Sequence, residues 1–205
     1  MNYEKLATKE TVSKTTGALA AKGIETFTVK SGAEALAKIK ELIPKGASVM
    51  NGSSRTLEQM GFVEYLKAGE HGWNNLHATI IAEKDKAKQS VLRKQAVLSD
   101  YYLGSVHALM ETGEFLVASN SGSQLPHVVF TSPNLIFVVS TKKIVPTFSD
   151  GMDRLYKHVI PLEEENMKQK YGVGTWPSKI LIFNRESPTS GRKVKMILVN
   201  ENLGF

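Results

Sequence analysis

Thr26-Phe27-Thr28-Val29-Lys30-Ser31-Gly32-Ala33-Glu34-Ala35-Leu36-Ala37-Lys38-Ile39-Lys40-Glu41-Leu42-Ile43-Pro44-Lys45-Gly46-Ala47-Ser48-Val49-Met50 is the stretch on which the fold class turns. Thr26–Val29 alternates as a short strand should. Ser31 and Glu34 make an S-x-x-E capping pattern, and Leu36, Ile39 and Ile43 follow at spacings of three and four. Pro44 and Gly46 end that helix. Ala47–Met50 then returns to an extended run. Strand, helix and strand in this order favour a parallel sheet with helices on its faces.

The reading extends outward in both directions. Tyr3 to about Lys22 has helical composition and is stopped by Gly23. Downstream, Asp85–Tyr102 places Ala87, Val91, Leu98 and Tyr102 on one stripe and predicts a helix. Val106, Ala108 and Met110 alternate, Thr112-Gly113 turns the chain, and Phe115–Val117 resumes, which predicts a hairpin. Asn134–Ser140 is an uninterrupted apolar run, as in a central strand buried on both faces. Thr147 and Asp150 cap a further helix with Met152, Leu155 and Val159 on its buried stripe, and Ser178–Asn184 and Val194–Val199 are the last strands. Leu162 to Trp176 has the least pattern and reads as a long mobile connection. The result is a single α/β domain with a mixed, mostly parallel sheet flanked by helices. Residues 1–30 supply an N-terminal helix and first strand, and 31–205 the main α/β domain.

Bulk properties narrow the function classes. A chain of 205 residues with 41% hydrophobic and 22% charged residues is an ordinary globular composition, not a disordered or disulfide-dense one. There is no cysteine, so this chain supplies no disulfide, thiol nucleophile or iron–sulfur ligand. That fits a reducing, cytoplasmic setting. Apolar stretches such as Leu135–Val139 and Lys179–Phe183 are too short to span a bilayer, and the N-terminus has no apolar signal region. The net charge is +6, with Lys84, Lys86, Lys88, Arg93 and Lys94 along one predicted helix. Glu83 and Asp85 interrupt that run and no aromatic lies between 74 and 100, so a solvated face is favoured over a nucleic-acid surface. A small anion would use the same positive field.

Three polar constellations are candidates for chemistry. Asn51-Gly52-Ser53-Ser54-Arg55-Thr56 follows a strand and opens a helix, which suits a phosphate or carboxylate but also ordinary helix capping. Glu111-Thr112-Gly113-Glu114 sets a carboxylate at a turn, where Glu111 is either a general base or nucleophile or simply solvated. Ser119-Asn120-Ser121-Gly122-Ser123-Gln124 is a loop of donors able to cradle an anion or carbonyl oxygen, or a polar connection. His127 beside it reads as structural more readily than catalytic. No metal motif, Walker loop, G-x-G-x-x-G or G-x-S-x-G pattern is present, so neither metal nor cofactor is expected.

The run Tyr102-Leu103-Gly104-Ser105-Val106-His107-Ala108-Leu109-Met110-Glu111-Thr112-Gly113-Glu114 resembles the signature of the lactate-utilisation (LUD) domain family. Ser119–Pro126, Asn134–Val139, Lys143-Ile144-Val145-Pro146, Asp153-Arg154 and Gly52-Ser53-Ser54-x-Thr56-Leu57 extend the likeness over roughly residues 30 to 200. Arg185 through Arg192 matches poorly. The resemblance implies a fold similar to the ribose-5-phosphate isomerase, glucosamine-6-phosphate deaminase and CoA-transferase group. It implies a role as accessory or subunit of a lactate-oxidising system whose partners carry the iron–sulfur clusters. It also implies that Ser53, Ser54, Thr56, Glu111, Ser121, Ser123 and Gln124 share one pocket, with Glu111 as acid/base or nucleophile. The alternative is a stand-alone enzyme for a small anionic metabolite, such as a sugar phosphate or acyl-CoA. Homo-oligomerisation stays open.

Overall fold

A computed structural model describes all of residues 1–205. The helices are α1 (Lys9–Ala21), α2 (Gly32–Leu42), α3 (Arg55–Gln59), α4 (Phe62–Ala68), α5 (Leu76–Ala82), α6 (Lys86–Gln95), α7 (Phe148–Arg154) and α8 (Ile160–Tyr171). The strands are β1 (Ile24–Val29), β2 (Ser48–Asn51), β3 (Asn74–Asn75), β4 (Tyr101–Gly104) and β5 (Ala108–Met110). They continue with β6 (Phe115–Ser119), β7 (Asn134–Ser140), β8 (Ile144–Val145), β9 (Lys179–Phe183) and β10 (Lys193–Val199).

Six strands form an all-parallel sheet in the order β1-β10-β7-β4-β2-β3. Four more form a second sheet, β8-β5-β6-β9, in which β6 runs antiparallel to both β5 and β9. The mixed character read from the sequence is therefore divided between two stacked sheets. Alternation along β7 explains the layering. Leu135, Phe137 and Val139 point into a core shared with Leu109, Phe115 and Val117 of the second sheet. Ile136 and Val138 point the other way, against Ala35, Ile39 and Leu57 of α2 and α3. Each fully buried aliphatic side chain there contributes about 1.5–3 kcal/mol. A third layer of apolar contact, Met110 and Leu116 with Met152, seats α7 on the far face of the second sheet.

The opening β-α-β unit forms as its residues dictate. The Ser31 hydroxyl accepts the Glu34 N–H at 3.2 Å, while Glu34 Oε2 reaches back to the Lys30 N–H at 2.8 Å. Thr147 and Asp150 make the complete reciprocal box at the start of α7.

Two segments differ from the sequence reading. The helix expected over Asp85–Tyr102 stops at Gln95, and Tyr102 belongs to β4 between β2 and β7. Val91 and Leu98, expected on its buried stripe, are 52% and 73% exposed. Pairing within the central sheet outweighs a helical spacing that rested on few residues. Leu162–Trp176, expected as a connection, is largely α8, which buries no residue. Its support is local: Glu164 pairs with Lys168 at 2.8 Å and Gln169 bonds Glu165 at 2.7 Å. A helix with no fully buried residue carries no strong apolar period to read. It joins α7 through a wide π-type turn at Leu155–Val159, just ahead of Pro161, which has no N–H to close a normal turn.

Candidate functional site

A cavity of about 490 Å³ opens where residues 52–56, after β2, face residues 117–124 around the end of β6. It lies beyond the carboxyl ends of parallel strands, where open α/β sheets place ligands. Gly52 is required there, because a Cβ would lie 2.6 Å from the Tyr102 hydroxyl. Ser54 caps α3 by accepting the Leu57 N–H at 3.3 Å. The opposite loop is braced from within. Ser119 Oγ accepts the Gly122 N–H at 2.8 Å and donates to Gln124 Oε1 at 2.9 Å. Ser121 and Ser123 join hydroxyls at 3.1 Å.

Gly52, Ser53, Ser54, Thr56, Ser121, Ser123 and Gln124 thus line one cavity. Asn51 is buried beside it, with Nδ2 donating to the Gly52 carbonyl at 3.2 Å and Oδ1 unpartnered. Gly122 makes the loop's positive-φ turn. The Glu111–Glu114 segment, expected in the same pocket, is elsewhere. Glu111 accepts from Lys14 of α1 at 2.8 Å and does not line the cavity. Thr112 bonds Glu114, and Gly113 turns the β5–β6 hairpin against α1. His127 is buried beneath Tyr102, with ring centroids 4.5 Å apart. Its Nδ1 meets Ser132 at 2.8 Å and Ser99 at 3.3 Å, and burial lowers its pKa to about 4, so it is a neutral packing residue.

The charged groups at the cavity are ones that motif reasoning passed over. Lys143, on the short link between β7 and β8, is the only lysine lining it. Its Nζ lies 3.0 Å from Thr56 Oγ1, 3.2 Å from Ser105 Oγ and 3.2 Å from the Val106 carbonyl. Burial, reinforced by Arg154 and Lys142, drives its pKa well below the usual lysine range. Arg154 is itself fully buried; one Nη donates to the His107 carbonyl, while Nε and the other Nη have no partner. His107 accepts the Ala118 N–H at Nδ1, 3.1 Å away. Burial, with Lys143 and Arg154, lowers its pKa to about 3.

At the cavity's other side Arg55 pairs with Glu58 at 2.9 Å, and Lys170 meets the same carboxylate at 3.0 Å. The Arg55 Nε is buried without a partner. Glu163 of α8 also lines the cavity; burial raises its pKa, and Asn166 donates to it at 3.0 Å. Trp176, 63% exposed, stands among the lining residues. No cluster of histidine, aspartate and glutamate has the makings of a metal site. The signal for Lys143 was present in the chain: a lysine pair set between two buried strands, where charge is rare.

A family model described as the LUD domain matches residues 12–199. No curated protein matches. Among solved structures, a DUF162-family protein from Deinococcus radiodurans, determined at 1.70 Å, superposes with a TM-score of 0.58. The alignment covers 96% of this chain and 100% of that one at 13% identity, a likeness of fold.

Proposed function

The chain belongs to the LUD-domain family, and from that premise we propose that its cavity binds a small anionic metabolite. The observation that carries this is the meeting of two hydroxyl-rich loops around Arg55, whose buried Nε has no partner within the protein. A buried unpaired donor costs about 1–3 kcal/mol, and an anionic oxygen would relieve it. The buried guanidinium of Arg154, next to His107 of the cavity wall, biases its field in the same direction. Candidate ligands are carboxylates, sugar phosphates and acyl-CoA. Thermal shift with pyruvate, lactate, inorganic phosphate, ribose 5-phosphate and acetyl-CoA tests the reading. At least one should raise the melting temperature of the wild type and lose that effect in Arg55→Met and Ser53→Ala/Ser123→Ala. No shift with any of them would refute it.

Family membership favours a second, compatible reading, in which the chain is an accessory or subunit of a cytoplasmic lactate-oxidising system. Lactate and its oxidation product are both small carboxylates, and a chain without cysteine would leave the clusters to its partners. No helix is long and apolar enough to cross a membrane. Gentle affinity purification from the native cell should bring down iron–sulfur subunits. Recovery of the chain alone would count against this reading.

A further inference from the structure

Every polar atom around Lys143 Nζ is neutral. Thr56 Oγ1, Ser105 Oγ and the Val106 carbonyl surround it, and no carboxylate lies within 4.0 Å of it. Its nearest charged influences, Arg154 and Lys142, are cations. A buried ammonium in such company is disfavoured, and a neutral amine is accommodated without rearrangement. Two amine hydrogens can go to the Val106 carbonyl and one hydroxyl, while the other hydroxyl donates to the nitrogen lone pair. Rotation of that last hydroxyl frees the lone pair toward the cavity.

We propose that Lys143 is a nucleophilic amine that forms an imine with a small aldehyde or ketone carrying a carboxylate or phosphate. The inference rests on the anion-binding reading of the same cavity and adds the reacting group to it. Arg55 and the serine loops would hold the anionic end, leaving the carbonyl carbon to the only lysine on the wall. The amine nitrogen attacks that carbon, its N–C bond forms as the C=O π bond breaks, and the nitrogen gives up one proton while the oxygen gains one, leaving a neutral carbinolamine. A second proton then converts the hydroxyl to water, which leaves as the C=N bond forms. Amine, carbonyl and one proton thus become a protonated imine and water. Glu163 is the carboxyl on this cavity wall, and burial keeps it protonated to higher pH than an exposed glutamate, so it is suited to deliver that proton. No oxidant or reductant is needed.

The test traps the imine with sodium cyanoborohydride at neutral pH, using the full chain with pyruvate in one arm and dihydroxyacetone phosphate in the other. Peptide mapping should find Lys143 modified about tenfold faster than any exposed lysine, because an amine held neutral needs no deprotonation before it attacks. Excess inorganic phosphate should slow modification of Lys143 and leave exposed lysines unaffected. Lys143→Met, which keeps an uncharged unbranched side chain and loses the nucleophile, should abolish the fast component. The faster arm identifies a carboxylate or a phosphate as the preferred anion. If Lys143 stays unmodified while either probe raises the melting temperature, the imine proposal falls and the binding site stands. If neither probe modifies Lys143 nor shifts the melting temperature, both fall.

Discussion

Gly204 approaches Lys143 so closely that a methyl group on residue 204 would lie 2.9 Å from the Nζ and would collide with the Thr56 hydroxyl. Its φ of 72° is also in the left-handed region. Gly204→Ala should therefore do two things. It should lower stability by about 1–2 kcal/mol from the backbone alone. It should also disturb the Lys143–Thr56 contact, so that any ligand-induced rise in melting temperature shrinks. Urea titration with and without ligand measures both.

Glu163 offers a test with a definite sign. Burial raises its pKa, so the folded chain holds this proton more tightly than the unfolded one. Its contribution is fully present below the unfolded glutamate pKa and is lost as pH rises through the folded value. Glu163→Gln should match the wild type in acid and exceed it at neutral pH. Partial exposure limits the gain to about 0.5 kcal/mol. Chemical denaturation at two pH values would detect it, and a gain confined to acid would contradict the assignment.

His107 carries the opposite sign. Its pKa is lowered to about 3 from a usual 6.5, by burial first and then by Lys143 and Arg154. Between those values the unfolded chain binds more protons, so stability falls as pH drops from about 6.5 toward 3, by up to roughly 1.4 kcal/mol per pH unit. His107→Asn keeps an acceptor for the Ala118 N–H and removes the titration. The slope of stability against pH in this window should flatten accordingly, leaving the share due to His127.

Arg192 clasps one turn of backbone. Its guanidinium donates to the carbonyls of His127, Val128, Val129 and Ser132 at 3.0, 2.9, 2.7 and 3.1 Å. Those carbonyls belong to or follow a wide turn at His127–Thr131, whose Val128 lines the cavity. Arg192→Met should cost about 3 kcal/mol, because several carbonyls lose a charged donor at once. Loosening that turn should weaken ligand-induced stabilisation as well.

Glu111→Gln serves as the contrast. The Glu111–Lys14 pair sits away from the cavity, and Lys14 is 65% exposed. The substitution should cost less than about 1 kcal/mol and leave ligand shifts unchanged. Loss of ligand binding would return Glu111 to the site.

Local order was readable where one residue type governs it. The capped helix between β1 and β2, the Thr112-Gly113 hairpin and the apolar β7 each follow from spacing or turn chemistry over a few residues. The two serine loops were legible because each follows a strand end. Lys143 stood out in the chain only as a charge between two buried strands; its place on the cavity was not legible, because its surroundings come from Thr56 and Ser105, 87 and 38 positions away. Glu111 attracted attention for its neighbours in the chain, whereas its partner lies 97 positions off. Burial and pairing at such separations are properties of the fold, and α8, with no buried face, left no trace in hydrophobic spacing.

Tyr102 divides what can be altered in this cavity from what cannot. Its ring lies against two glycines, with a Cβ at 52 only 2.6 Å from its hydroxyl and one at 104 only 3.1 Å from Cε1. Any side chain at either position would push the ring off His127 and into the core. The floor is consequently closed to variation, while the rim at Ser53, Asn120, Ser121 and Ser123 is carried on loops outside the core, where the side-chain bonds lost on substitution are local to the loop or to exposed Ser178. Relatives with different substrates could diverge at the rim and keep the floor, and a library randomised at those four positions could retarget the cavity on an unchanged scaffold.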